Sequence, residues 1–167
     1  MEIFQATTTA HLDEVRALMR AFIAWHRQRH HDELALIDQY FDQEAFDAEL
    51  AGLPGKYAPP KGHLLLALKQ DQPAGCVALR EIDEAFCEMK RMFVYPQFHR
   101  QGVGRALAEA LIRDAKSSGY IGMRLDTGRK QVEAQRLYSS LGFKEIKPYY
   151  NLPEELQNWL VFMELPL

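Results

Sequence analysis

Apolar and polar residues follow two different spacings along the chain, and these spacings separate predicted helices from predicted strands. After a short strand over residues 2–6, apolar residues from Leu12 to about Gln28 fall three or four positions apart, which predicts an amphipathic helix. A second, shorter helix fits residues 41–50. The glycines and prolines from Gly52 to Gly62 predict a loop. We therefore expect the first third of the chain to be mainly helical.

The middle of the chain changes to the spacing of β-strands. The runs HLLLALK, AGCVALREI and AFCEMKRMFVY are separated by turns at QDQPAG and DEA. Short turns of this kind join neighbouring strands that run in opposite directions. The pattern from His63 to Tyr95 therefore predicts a meander of three antiparallel strands.

The last third of the chain alternates between helices and strands. An alanine-rich helix follows Gly102 and ends before Gly119, and a second helix ends before Gly142. Strands are predicted between these helices at IGMRLDT and after them at FKEIKPYY and WLVFMEL. The complete order is β, αα, βββ, α, β, α, ββ. It predicts an α/β fold with a mixed, mostly antiparallel central sheet flanked by helices.

The size and composition of the chain exclude several classes of protein. A length of 167 residues, with 47% hydrophobic and 26% charged residues, predicts one globular domain over residues 1–167. Cys76 and Cys87 form no CxxC motif, the first residues lack a signal-peptide pattern, and no apolar run approaches ~18 residues. We therefore expect a cytoplasmic protein that does not enter the membrane. The net charge of −3 argues against a nucleic-acid partner.

Charge is distributed unevenly within the chain. The segment from Asp32 to Glu49 holds seven acidic residues and no lysine or arginine, whereas Lys90 to Lys147 holds twelve basic residues against five acidic ones. Such runs are usually solvated faces. The alternative is a basic half suited to an anionic ligand and an acidic segment suited to a cationic amine.

Two glycines, Gly102 and Gly104, lie in the basic stretch HRQGVGR at the start of a predicted helix. One interpretation is a tight turn without further function. A second is a dinucleotide-binding GxGxxG motif, since Asp126 ends the next strand, but Leu107 stands at the third glycine position. A third is that N–H groups from Arg100 to Arg105 hold a diphosphate, which the missing Cβ atoms let approach. The antiparallel meander before the motif favours the third interpretation.

The stretch MFVYPQFHRQGVGRAL is followed, after one helix and one strand, by AQRLYSSLGFKEI. The two blocks together resemble the GNAT superfamily of acetyl-CoA-dependent N-acyltransferases. The resemblance implies the GNAT (acyl-CoA N-acyltransferase) fold and acetyl-CoA as cosubstrate. The cofactor motif of the family, (Gln or Arg)-x-x-Gly-x-(Gly or Ala), lies over His99 to Gly104. His99 departs from the family pattern at the first position.

The resemblance also implies which residues bind the cofactor. The backbone at Met92, Phe93 and Val94 would pair with the pantetheine arm, and the N–H of Val94 would polarise the thioester carbonyl. Gln131 stands where the family often has an asparagine. The loop residues implied in pyrophosphate binding are Arg100, Gln101, Gly102, Val103, Gly104 and Arg105.

Two residues are candidates for proton transfer. Tyr138 matches the tyrosine of the family's LY dipeptide, which implies a general acid for the departing thiolate, although its helical pattern alone indicates a core aromatic. Strand alternation places Glu88 on the same face as Val94, so Glu88 is a candidate base for the attacking amine. The alternative for Glu88 is an ion pair with Lys90 or with an arginine on the neighbouring strand.

A histidine-rich stretch, HRQRHHDE, follows the first predicted helix. His26 and His30 are four residues apart and can share a helix face, with His31 beside them. The stretch is not an HExxH motif, and two arginines add positive charge to it. We therefore expect no metal.

These features together predict an enzyme, an N-acetyltransferase that moves the acetyl group of acetyl-CoA directly to a primary amine. The acceptor, a small molecule or a protein amine, is not apparent from the residues. The alternative function is a non-catalytic acyl-CoA-binding module, a sensor or regulatory subunit that retained the groove without turnover. Because members of the family often dimerise, the resemblance is also compatible with a homodimer.

Overall fold

The computed structural model describes all 167 residues and contains one seven-stranded sheet. The strands are β1 (Glu2–Gln5), β2 (His63–Lys69), β3 (Gln72–Glu81), β4 (Phe86–Val94), β5 (Gly122–Gly128), β6 (Lys144–Ile146) and β7 (Leu160–Pro166). Their order in the sheet is β1-β2-β3-β4-β5-β7-β6. Only β4 and β5 are parallel neighbours, and every other pair is antiparallel. The predicted mixed, mostly antiparallel sheet is confirmed.

Helices cover both faces of this sheet. They are α1 (Thr9–Arg29), α2 (Leu34–Tyr40), α3 (Gln43–Ala51), α4 (Val103–Ser117), α5 (Val132–Ser140) and α6 (Glu154–Trp159). Apolar residues of α4 and α5 pack on one face, and those of α1 and α3 pack on the other. Alternate residues of β2, such as Leu64 and Leu65, belong to opposite cores. Because both faces are buried, β2 is a nearly continuous apolar run rather than an alternating one.

The parallel strands β4 and β5 separate after a short paired section. They pair only from Phe86 opposite Gly122 to Glu88 opposite Arg124. Beyond that point, β4 continues to Val94 beside β3, and β5 continues to Gly128 beside β7. The separation opens the sheet at its centre, between two strands that remain held on their outer edges.

Most predicted elements occur, with three differences. The Thr8 hydroxyl accepts a hydrogen bond from the His11 N–H (3.2 Å), so α1 begins three residues before Leu12. The short helices α2 and α6 were not predicted, because neither is long enough to establish a helical pattern. The strand predicted at FKEIKPYY ends at Ile146, since Pro148 has no N–H for a sheet ladder.

None of the helices is long and apolar enough to cross a membrane. The longest, α1, has 21 residues but carries charged side chains along one face.

Candidate functional site

A groove of about 550 Å³ runs between α1, the end of β4 and the N-terminal ends of α4 and α5. Nine of the ten predicted cofactor-binding residues line it. They are Met92, Phe93, Val94, Arg100, Gly102, Val103, Gly104, Arg105 and Gln131. The tenth, Gln101, donates its side-chain N–H to the Gln97 carbonyl (2.8 Å) and does not line the groove. The fold therefore brings two sequence-distant motifs to one surface.

The N-terminus of α4 faces this groove with free backbone N–H groups. Gly102 is the N-cap residue and supplies no side-chain cap, so the first-turn N–H groups from Val103 to Arg105 have no partner within the helix. Gly102 has φ +81°, a left-handed conformation that favours glycine. Gly104 differs, because a Cβ there would only come into ordinary contact with Leu137 (3.6 Å). Packing therefore does not require glycine at 104, and its absent side chain leaves room for an anion beside the N–H groups.

The end of β4 presents its backbone to the same groove. The Tyr95 N–H donates to the Ala74 carbonyl on β3 (2.9 Å), so the N–H and carbonyl of Val94 point to the opposite edge. His99 Nε2 lies 2.8 Å from the Val94 carbonyl oxygen. Since a carbonyl oxygen only accepts, the hydrogen must be on Nε2 of His99. The residue that departs from the family pattern thus contacts β4, and the Val94 N–H remains free.

A second, smaller cavity of about 60 Å³ lies where β4 and β5 separate. Its walls come from both strands and from α1, α2 and α5, and they include Tyr138 and Glu88. Phe22, Met92 and Gln131 line both this cavity and the groove. The groove and the cavity therefore meet at these three residues.

Tyr138 projects from α5 into the smaller cavity. Its side chain is 6% exposed, and its hydroxyl donates no hydrogen bond to any protein group. Burial, and next the negative charge of Asp126, raise the pKa of Tyr138. The hydroxyl is therefore neutral at ordinary pH and available as a hydrogen-bond donor in the cavity.

Glu88 lies on the wall of the same cavity and is 1% exposed. Its carboxylate accepts from Arg80 Nε (2.8 Å) and from the Tyr149 hydroxyl, and it lies 3.4 Å from Lys90 Nζ. Burial alone would raise the pKa of Glu88, but Lys90, Tyr149 and Arg80 together lower it. These contacts are the ion pairs that the sequence left open as an alternative. A role of Glu88 as base stays a prediction.

His26 is buried where the cavity meets α1, and its ring lies 3.2 Å from the Gln131 side-chain nitrogen. Burial, with the neighbouring His30 and Arg29, lowers the pKa of His26 to about 4. A neutral ring accepts the amide hydrogen of Gln131, whereas a protonated ring does not. Nowhere do three His, Cys, Asp or Glu side chains gather as a possible metal site. The histidine cluster thus contributes one buried, neutral ring to the site.

The buried His26 predicts a fall in stability at acidic pH. Between the unfolded pKa of about 6.5 and the folded value of about 4, the unfolded chain binds more protons, so stability decreases as pH falls. We expect a loss of about 2 kcal/mol from this residue between pH 7 and pH 5. Urea titrations at both pH values measure it, and the variant His26→Gln should lose less. An equal loss in both proteins would contradict the prediction.

Sequence reasoning missed the contribution of α1 to the groove. Trp25 and Arg29 line it, with the Arg29 guanidinium 4.9 Å from the Trp25 ring centre. Arg29 also forms an ion pair with Glu133 on α5 (2.7 Å). An arginine one helical turn after a tryptophan is common on helix surfaces, so no sequence signal marked these residues.

Comparison with known proteins finds relatives in sequence and in fold. The chain is 40% identical over 109 residues to an uncharacterised N-acetyltransferase of Schizosaccharomyces pombe, a match covering 64% of this chain and 67% of the relative. An acetyltransferase of Streptococcus agalactiae shares the fold, with a TM-score of 0.75 at 23% identity over 99% and 98% of the two chains.

A PaiA N-acetyltransferase of Thermoplasma acidophilum, solved in complex with coenzyme A, also shares the fold. Its TM-score is 0.73 at 17% identity over the full length of both chains. The family model described as the acetyltransferase (GNAT) family matches residues 31–143, which hold the sheet centre, the glycine loop and Tyr138. Because that match spans more than half of the sequence, this chain belongs to the GNAT acetyltransferase family.

Proposed function

We propose that this protein transfers the acetyl group of acetyl-CoA directly to a primary amine. The observation that carries the proposal is the junction at Phe22, Met92 and Gln131, where the groove opens onto the smaller cavity. A groove of this size suits an extended cofactor, and the cavity suits the reacting end of a second substrate. Membership of an acetyltransferase family supports the same conclusion.

The groove offers groups that suit the parts of acetyl-CoA. The free N–H groups at the start of α4 would bind the pyrophosphate, with the positive end of the helix dipole and Arg100 adding favourable charge. The outward N–H of Val94 would donate to the thioester carbonyl. When bound, acetyl-CoA supplies an activated acetyl group. The protein supplies its orientation and a donor for the carbonyl oxygen.

The transfer itself requires one bond to form and one to break. The neutral amine nitrogen bonds to the acetyl carbon, the C–S bond breaks, and its electron pair remains on sulfur, while the nitrogen releases one proton to solvent or to the thiolate. Tyr138 would donate a hydrogen bond to that sulfur from the cavity wall. Because the pKa of Tyr138 is raised above that of a thiol, about 8.5, complete proton transfer from Tyr138 to the thiolate is uphill. Stabilisation of the thiolate by hydrogen bonding is therefore its proposed role.

A thermal melt with and without acetyl-CoA tests the binding step. Ligand at a hundred times its Kd adds about 2.7 kcal/mol, which corresponds to a shift of roughly 5 to 10 °C for a chain of this size. NADPH and S-adenosylmethionine serve as controls and should give no shift. Thiol release with a panel of primary amines then tests transfer. Binding without release from any amine would favour the non-catalytic module instead.

The variant Gly104→Val tests whether the glycine loop is the cofactor site. Its side chain would enter the space beside the α4 N–H groups, so we expect the Kd for acetyl-CoA to rise on the order of tenfold. Calorimetric titration measures the change. Ala24→Val, on the exposed side of α1 and outside the groove, is the matched control. Unchanged affinity in Gly104→Val would place the pyrophosphate elsewhere.

A further inference from the structure

Besides Glu88, a second carboxylate, that of Asp126, lines the smaller cavity, and the acetyl transfer proposed above does not use it. Asp126 lies on β5, two residues beyond the last position at which β4 and β5 pair. Its charge therefore lies where the sheet has opened. The same charge is the second cause of the raised pKa of Tyr138, which reflects their common cavity.

The contacts of Asp126 differ in kind from those of Glu88. One carboxylate oxygen accepts from the Tyr40 hydroxyl on α2, and the other accepts from the Tyr150 hydroxyl (2.6 Å) in the segment before α6. No lysine or arginine of the chain forms an ion pair with it. Glu88, by contrast, has both Arg80 and Lys90. Lys90 lines the same cavity and interacts with the charge of Asp126, but its ion-pair partner is Glu88, so Asp126 is the carboxylate of the cavity without a direct ion pair.

The two tyrosines fix the carboxylate of Asp126 without satisfying it. An ionised carboxylate has about four acceptor positions, and two hydroxyl donors fill two of them. One donor binds Oδ1 and the other binds Oδ2, so an acceptor position remains on each oxygen. A carboxylate in a small, partly apolar cavity attracts a cation more strongly than one in water. The missing partner is therefore a cationic donor that enters the cavity.

The size of the cavity limits what can enter. About 60 Å³ is well below the volume of a site for a whole ligand. Tyr40 and Arg91 line this cavity and also two wider neighbours of about 220 and 400 Å³. The end of a substrate can therefore occupy the smaller cavity while the rest of the substrate lies in a wider neighbouring cavity, beyond Tyr40 and Arg91.

Resting on the proposed function, we propose that Asp126, held by Tyr40 and Tyr150, binds the acceptor as a primary ammonium group on a slim, unbranched stem. The carboxylate receives the ammonium N–H donors and places the nitrogen in the cavity that Tyr138 lines, and the ammonium releases one proton to solvent before its nitrogen attacks. The acceptor class is accordingly a straight-chain alkyl amine, free or at the end of a longer molecule. Amines branched at the adjacent carbon are excluded by the cavity walls.

The test compares steady-state kinetics of the wild type and Asp126→Asn, with thiol release as readout and n-butylamine and sec-butylamine as acceptors. We expect n-butylamine to be the better substrate. Asp126→Asn should raise its KM by roughly 10- to 100-fold, the effect of losing one charge-assisted hydrogen bond. The KM for acetyl-CoA should stay within about twofold. Tyr150→Phe, which keeps the charge and removes one support, should raise the amine KM by a smaller factor.

The possible outcomes separate this inference from the proposed function. Thiol release with an amine KM unchanged in Asp126→Asn, or equal use of both amines, overturns the inference and leaves acetyl transfer intact. Acetyl-CoA binding without thiol release from either amine contradicts both. If Asp126→Asn fails to fold, Tyr150→Phe and the comparison of amines in the wild type decide the matter. Glu164→Gln provides the control, since its carboxylate pairs with Arg124 (2.7 Å) outside the cavity and the amine KM should not change.

Discussion

Replacing Tyr138 by phenylalanine is expected to lower kcat by about 100-fold while the protein remains folded. The hydroxyl makes no protein hydrogen bond, so its loss leaves no buried group without a partner. Removing a hydrogen-bond donor to developing charge typically costs on the order of 10² to 10³ in rate. Steady-state thiol release measures kcat, and the KM for acetyl-CoA should change little.

Tyr120→Phe is the matched control for this variant. The Tyr120 hydroxyl donates to the Lys61 carbonyl (2.7 Å) away from the groove and the cavity. Its loss should cost about 1 kcal/mol of stability and leave kcat unchanged. The opposite pattern, full activity in Tyr138→Phe with a lowered melting temperature, would make Tyr138 a core aromatic without a part in transfer.

Replacing Glu88 by alanine is expected to reduce the free energy of unfolding by about 3 kcal/mol or more. The change leaves Lys90, which is largely buried, without its ion-pair partner and removes an acceptor from Arg80 and Tyr149. Urea unfolding at neutral pH measures the loss. Glu109→Ala is the control, because Glu109 forms an exposed pair with Arg105 and should cost at most about 0.5 kcal/mol.

The pH dependence of this contribution follows from the lowered pKa of Glu88. A carboxyl whose folded pKa lies below its unfolded value stabilises the protein above the unfolded pKa, about 4.3. That stabilisation disappears as pH falls through the folded pKa, so it is complete at neutral pH. A stable Glu88→Ala variant with a large loss of kcat would instead support Glu88 as the base.

The groove proposed for the cofactor was largely predictable because its residues come from two local motifs. The glycine loop is a backbone feature of consecutive residues, and its free N–H groups follow from the left-handed Gly102 and the start of α4. The strand that ends at Val94 was predicted from its own pattern. The prediction that Glu88 and Val94 share a face was wrong, because a bulge between Lys90 and Phe93 interrupts the alternation and turns Val94 to the face of Met89. A feature built from neighbouring residues can be inferred locally, and nine of ten predicted residues line one groove.

The cavity proposed for the acceptor could not be inferred from local motifs. Tyr40 ends a seven-residue helix, and Tyr150 follows a strand that stops early at Ile146. In the sequence, Asp126 ends a strand at the position of the acid of a dinucleotide motif, and its neighbours on the chain do not reveal the two hydroxyls. Tyr40 and Tyr150 contact Asp126 because α2 and the segment before α6 pack over the opening between β4 and β5. The two hydrogen bonds join residues that are 86 and 24 positions apart in the sequence.

By itself, the sequence determined the order of the main elements, the mixed sheet and the loop that suits a diphosphate. Periodic burial and turn chemistry act over a few residues, so they are visible in one chain. Only the tertiary structure decided which carboxylate pairs with cations and which accepts from hydroxyls. The partners of such a group are side chains that are distant in sequence and close in space. Glu88 has Arg80 and Lys90 beside it, whereas Asp126 accepts from Tyr40 and Tyr150.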